Sequence, residues 1–208
     1  MTIKYLAILI SGVLFSGPAF SQGGTLPPVQ MIVGAAPLST SNPMPTREVV
    51  TDPQTYGAAV IDLANTEASD IYCITGSATK TIKVHKINVS AIATTPIIQD
   101  VYIVLRSTLD TGGGLSSVSV IKMDQNNNAA TAVVNSFTSA PTAGTSIGTV
   151  RSRKLAVGDQ GQTRASDLAQ FVFDNPIVLR GAAQAACVHV ESFGSGSSFD
   201  VDHQHTEE

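Results

Sequence analysis

The sequence has no tryptophan, and aromatic residues make up only 5% of its 208 positions. A sugar-binding surface built on stacked indoles is therefore excluded. Charged residues are scarce at 13% and the net charge is −4, so nothing in the electrostatics favours nucleic acid or an anionic membrane. There are only two cysteines, too few for a disulfide-dense scaffold. No long stretch carries helical periodicity, and the three glycines 112–114 are not followed by the Gly-Lys-Ser/Thr ending of a phosphate-binding loop. No serine lies in a Gly-x-Ser-x-Gly turn, because Gly194-Ser195-Gly196 belongs to a serine-glycine turn. The polar run that starts at Asp124 lacks the glycine and glutamate of a calcium loop.

What remains is rich in Thr, Ser, Ala, Val and Gly, with 43% hydrophobic residues, enough for one sizeable core. Residues 1–21 read as a secretory signal peptide. Lys4 supplies the positive start, residues 5–15 the apolar stretch, and Gly17-Pro18 the break before a small-residue cleavage site after Ser21. The apolar stretch is shorter than the roughly 20 residues of a membrane span. The mature chain is thus expected in the periplasm or outside the cell. Residues 22–47 carry half of the ten prolines and no sustained period, which predicts an extended or partly disordered arm. Its patch at residues 29–33 is able to dock as an edge strand. The sandwich domain is expected from residue 48 to 208.

The densest strand signal lies at residues 81–106. Ile97, Val101, Ile103 and Leu105 share one face at period two, and Asp100, Tyr102, Val104 and Arg106 share the other. In the first limb Ile82 and Val84 are in one phase, whereas Ile87, Val89 and Ala91 are in the opposite one. The slip at His85-Lys86 predicts a β-bulge or a bend between sheets. We read the two limbs as a central hairpin connected through residues 93–96. Tyr56-Gly57 reads as a turn, residues 107–117 as a flexible glycine-rich loop and residues 158–167 as another polar loop. Residues 118–123 read as one strand, and 129–138 as either a strand or a short helix. Further strands are expected at 70–75, 147–151, 155–157, 171–179, 185–191 and 199–205. About eight to ten short strands separated by turn signals predict an all-β antiparallel sandwich of jelly-roll type.

Chemistry is harder to find. His203 and His205 share a strand face and are the candidate metal ligands, with Asp200, Asp202, Glu207 and Glu208 nearby and His85 or His189 as a third imidazole; no closed ligand set is legible, and no metal or cofactor is assigned. Carboxylates Asp62, Glu67 and Asp70 show no pairing, so no catalytic residue is assigned and the protein is read as not an enzyme. Cys73 and Cys187 lie in apolar strand-like runs and are either bridged, as an exported chain allows, or two buried thiols. Asn88-Val89-Ser90 is a glycosylation sequon inside a strand.

Three blocks stand in a familiar order: GSATKTIKVHKINVSAIATTPIIQDVYIVLRST, DQNNNAATAVVNSFTSAPTAGTSIGTVRSRKL and NPIVLRGAAQAACVHVESFGSGSSFDVDHQHTEE. In these the chain is similar to a poorly characterised group of small β-proteins of tailed phages and prophages. The resemblance implies a virion-associated structural protein of decoration or tail-accessory type, with protein partners or self-association. The group tends to end in Trp-Thr-Glu-Glu, whereas this chain ends His205-Thr206-Glu207-Glu208. The other reading is an exported bacterial binding module whose loops contact a protein or a glycan.

Overall fold

The computed structural model describes residues 32–33, 36–37, 53–64, 67–157, 168–191 and 196–208. The expected signal peptide, nearly all of the arm and the loop at 158–167 lie outside the described residues. The chain divides into two units, Met1–Thr51 and Asp52–Glu208. In the first, β1 (Ile32–Val33) and β2 (Ala36–Pro37) pair antiparallel.

The second unit is all-β. Its strands are β3 (Gln54–Ala64), β4 (Ser69–Thr75), β5 (Ile82–Ile92), β6 (Ile97–Arg106), β7 (Leu115–Val118), β8 (Ile121–Lys122), β9 (Val134–Phe137), β10 (Ser146–Val157), β11 (Leu168–Leu179), β12 (Ala185–Val190) and β13 (Ser198–Glu207). One sheet has the order β10-β6-β12-β4-β9-β7 and the other β11-β5-β13-β3-β8. Setting aside β7, β8 and β9, the eight remaining strands pair first with last: β3 with β13, β4 with β12, β5 with β11 and β6 with β10. Nested pairing of this kind, split over two sheets, is the jelly roll. The insertion between β6 and β10 extends both sheets, with β9 beside β4 and β8 beside β3.

The core follows from strand alternation. Val101 and Ile103 of β6, Val188 and Val190 of β12, and Ile82, Val84, Ile87 and Val89 of β5 are buried in one cluster between the sheets. The phase slip at His85-Lys86 is a bulge. His205 pairs with Val84 and Gln204 with Lys86, so His85 is the extra residue, and the β5–β11 ladder is irregular at the same place. The bulge lets both halves of β5 present their aliphatic side chains to the same core.

The structure corrects five expectations, the first being that 147–151 and 155–157 are separate strands, since they form the single strand β10. β5 and β6 are not a hairpin, because they lie in different sheets and each pairs with strands from the other half of the chain. Alternation identifies a strand but carries no record of its partner. Residues 118–123 are two pieces, β7 and β8, in different sheets. Tyr56-Gly57 lies inside β3, and a Cβ on Gly57 would stand 3.3 Å from the His203 carbonyl oxygen, so the glycine serves close strand approach. The glycine-rich loop is packed down: Ser139 N–H donates to Gly113 O (3.1 Å), and Thr111 bridges to Thr142. Within residues 129–138 the strand reading holds only for Val134–Phe137, which form β9; residues 129–133 are neither strand nor helix.

Where β4 ends, Gly76 meets Gly181 head-on. A Cβ on Gly76 would lie 2.4 Å from the Gly181 carbonyl oxygen, whereas one on Gly181 would meet nothing within 4 Å. Gly76→Ala is therefore expected to destabilise the fold by about 1–3 kcal/mol, the usual cost of overpacking, and Gly181→Ala by far less. Urea unfolding midpoints of the two variants check this, and equal midpoints would contradict it.

Candidate functional site

Among the described residues two polar clusters stand out. The first lies between the sheets. His203 and His205 point inward from β13 and are fully buried, while Asp200 and Asp202 alternate to the other face. Tyr72, reaching across from β4, stands 2.6 Å from His203 Nδ1, and His203 Nε2 lies 2.9 Å from His205 Nδ1. His205 Nε2 then faces Glu207 Oε1 at 3.5 Å, too long for a good hydrogen bond, and it is the weak link of the row. Glu207 accepts the backbone N–H groups of Thr131 (2.8 Å) and Ala132 (2.9 Å) and the Thr131 hydroxyl (2.9 Å). Tyr56 stacks on His205 at a centroid distance of 5.3 Å.

The carboxylate at one end fixes the proton order. With Glu207 ionised, each group donates towards it: Tyr72 O–H to His203, His203 Nε2–H to His205, and His205 Nε2–H towards Glu207. Burial pushes Glu207 up, but its backbone and hydroxyl donors outweigh this and leave it below the usual carboxylate value. Burial, reinforced by the neighbouring His205, pushes His203 down to about 3, and burial lowers His205 as well. Burial raises the Tyr72 hydroxyl. Both imidazoles are thus neutral and committed to internal hydrogen bonds. The metal expectation also loses its third imidazole. His85 bonds the Thr206 hydroxyl at 2.9 Å, and His189 bonds Asp70 at 2.6 Å in the other sheet.

The second cluster lies on the outer face of the six-stranded sheet. On β12, Val188 and Val190 point into the core, so Cys187 and His189 point out. The β4–β12 ladder shifts register between Val188 and His189, which makes Asp70 rather than Ile71 the residue opposite His189. Cys73 and Cys187 are directly opposed, with Cα atoms 4.1 Å apart, and form a disulfide. Of the two cysteine readings, the bridge is the one observed. Phe137 and Ala185 pack beside it.

Asp70 is fully buried and holds the cluster together. Its Oδ2 accepts from Arg106 Nε (2.9 Å) and Nη2 (2.7 Å), and its Oδ1 accepts from His189 Nδ1 (2.6 Å). Arg106 also donates to the Gly144 carbonyl (3.1 Å), and the Gly144 N–H donates to Asp110 Oδ1 (2.7 Å), so the insertion is tied down over the sheet. Asp110 Oδ2 lies 3.6 Å from Cys73 Sγ; the bridged sulfur has no proton to give, so any hydrogen in that contact comes from Asp110. Burial pushes Asp70 up, but hydrogen bonds from His189, Asp110 and Arg106 more than offset it and hold the carboxyl low. Asp110 moves the other way, to about 6, through burial and its bond to Asp70. The bond to Asp70 raises His189 against the opposing effect of burial.

Beside this cluster is an open cleft of about 330 Å³ lined by Tyr102, Val104, Arg106, Ser146, Thr149, His189 and Glu191. Asp70 orients His189 as a carboxylate orients the base of a catalytic triad. His189 Nε2, however, is met by Glu191 at 3.2 Å rather than by a hydroxyl or thiol. The arrangement suits anchoring of a polar group more than nucleophilic chemistry. Sequence reasoning missed Arg106, Asp110 and His189 as a cluster, although an aspartate and an arginine inside apolar strands were its visible signal. Asn88 sits in β5 and donates to Asp202 Oδ1 at 2.9 Å.

No family model, curated protein or solved structure matches the chain.

The buried imidazoles make stability depend on pH. Between the ordinary value of 6.5 and about 3, the unfolded chain protonates His203 and the folded chain does not. The His203 contribution to stability is therefore complete above about pH 6.5 and falls as pH drops through that window, by on the order of 3–5 kcal/mol in total. Urea unfolding at pH 7.5 and at pH 5 is expected to show the share of this loss between pH 6.5 and 5, about 2 kcal/mol, offset in part by His189, which its bond to Asp70 raises; His203→Gln, which has no group titrating there, is expected to remove the His203 share. An equal pH slope in the variant would contradict the assignment.

Proposed function

We propose that the protein is a non-catalytic structural or surface-interaction jelly roll, exported and associated with a tailed-phage or prophage virion. The observation that carries the reading is the placement of exposed apolar side chains along both lateral edges of the sandwich. On the edge formed by β10 and β11, Ile147 (64% exposed), Leu168 (56%) and Val172 (52%) face solvent; on the opposite edge, beside β7 and β8, so do Ile121 (63%) and Met123 (57%). Residues 146–154 of β10 are exposed without a break. An edge strand in that state is a template for pairing with another chain. Two unlike apolar edges favour head-to-tail association, which closes into rings or extends into arrays. The disulfide accords with an oxidising compartment.

Edge-blocked chains test the reading. Wild-type residues 22–208 are expected to form species that grow with concentration in sedimentation velocity. Ile147→Lys with Val150→Lys, and Ile121→Lys with Met123→Lys, are each expected to give monomers alone and a dimer when mixed. Thermal unfolding should barely change, since these side chains are exposed. Gradient-purified particles should contain the chain by mass spectrometry. A wild-type protein that stays monomeric at every concentration and is absent from particles would refute the proposal.

The second reading, an exported module that binds a glycan or protein, is favoured by one observation. Tyr56 and Tyr72 are spent in the core, whereas Tyr102 lies in the polar cleft beside His189, with ring centroids 6.0 Å apart. An aromatic face edged by Arg106 and Glu191 is suited to a sugar ring. A glycan array on which the wild type binds and Tyr102→Ala does not would support this reading, and an array without binders would end its glycan form.

A further inference from the structure

The buried group beside the disulfide has a composition that the oxidised state does not use. Asp70, Cys73, Asp110 and Cys187 are all buried, and each offers one ligand atom such that the four lie within 4.8 Å of one another. Two carboxylates and two sulfurs on three segments, fixed by the β4–β12 ladder and by the insertion, are the number and spread of donors that a tetrahedral ion needs. From these four residues we infer that the reduced protein binds one zinc-like divalent ion, held by the Cys73 and Cys187 thiolates and one oxygen each of Asp70 and Asp110.

The supporting groups are already in place. Arg106 and His189 hydrogen-bond Asp70, and Gly144 N–H hydrogen-bonds Asp110 (2.7 Å), the outer contacts that orient ligating carboxylates. Asp70 Oδ2 is filled by two bonds from Arg106, so Asp70 ligates through Oδ1, which keeps a second lone pair beside His189, and Asp110 through Oδ2, whose partner Oδ1 takes the Gly144 N–H. Two thiolates and two carboxylates exceed the charge of a dication by two; Arg106 offsets half of that excess. Thiolates on one tetrahedral ion sit roughly 3.7 Å apart at metal–sulfur distances of about 2.3 Å, a separation that side-chain rotation on two facing strand residues reaches. The soft sulfur pair selects zinc over calcium or magnesium.

The exchange balances as follows. A dithiol reductant delivers two electrons and two protons to the Cys73–Cys187 bridge and leaves as its own disulfide. The ion then displaces both thiol protons, and any proton on Asp110, to solvent. Bridge and ion are alternative clamps between β4 and β12, one for an oxidising compartment and one for a reducing compartment. The site is independent of the edge association proposed above.

Cobalt(II) is the probe. Residues 22–208 are reduced anaerobically with a phosphine, freed of reductant and titrated with cobalt(II). One equivalent is expected to give thiolate-to-cobalt charge-transfer absorption together with the intense visible bands of tetrahedral coordination, both lost on adding one equivalent of zinc. The oxidised protein should show neither band. Cys73→Ser with Cys187→Ser should abolish the signal, and Asp110→Asn should weaken cobalt binding at least tenfold. Circular dichroism during the titration follows the fold. A reduced chain that loses structure is expected to regain it with the metal, because binding is coupled to folding. The inference is overturned by a reduced chain that takes up no cobalt, by one that stays unfolded with it, by octahedral spectra, or by unchanged affinity in Asp110→Asn.

Discussion

The pairing of the first sandwich strand with the last is the constraint on which the rest of the structure depends. β3 and β13 join along their length, and the three pairs nested inside them place β4 on β12, β5 on β11 and β6 on β10. Every one of these ladders joins residues far apart in sequence, so folding must meet large loop-closure costs before the core repays them. The Cys73–Cys187 bridge closes the second pair across 114 residues. It therefore stabilises the very contacts whose closure is most costly, largely by restricting the unfolded chain.

The two polar clusters occupy equivalent roles in this plan. Inside the sandwich, Tyr72 and His203 hydrogen-bond across the gap between the sheets, at a place where aliphatic side chains would pack without regard to register. A buried polar pair is satisfied in one alignment and costly in others, so the Tyr72–His203–His205 row specifies how the sheets face each other. On the outer face, Asp70 and Arg106 do the same for the part of the insertion around Asp110 and Gly144, which they fasten over the sheet beside the β4–β9 ladder. Neither cluster opens onto a deep cavity among the described residues.

Much of this was legible in the sequence, and the part that was not has physical causes. β5, β6, β12 and β13 announce themselves by alternation, and the reversal of phase at His85-Lys86 marks a real bulge. Partners were not legible, because period two is a property of one strand whereas pairing is a property of the whole chain; hence β5 and β6 read as a hairpin although each belongs to a different sheet. β10 read as two fragments because Arg151, Arg153 and Lys154 interrupt its apolar pattern, as charged residues on an edge strand do. Asp70 was seen as an unpaired carboxylate. A one-residue register shift turns it to the face of His189 and Arg106, and no local pattern records such a shift.

Association through two unlike edges is the central functional claim, and backbone hydrogen exchange tests it most directly. Amides of β10 that point away from β6, together with those near Ile121 and Met123, are expected to gain protection as the concentration of the isolated chain is raised, while β12 and β13 in the sheet interiors stay unchanged. Protection that is independent of concentration at both edges would contradict the claim.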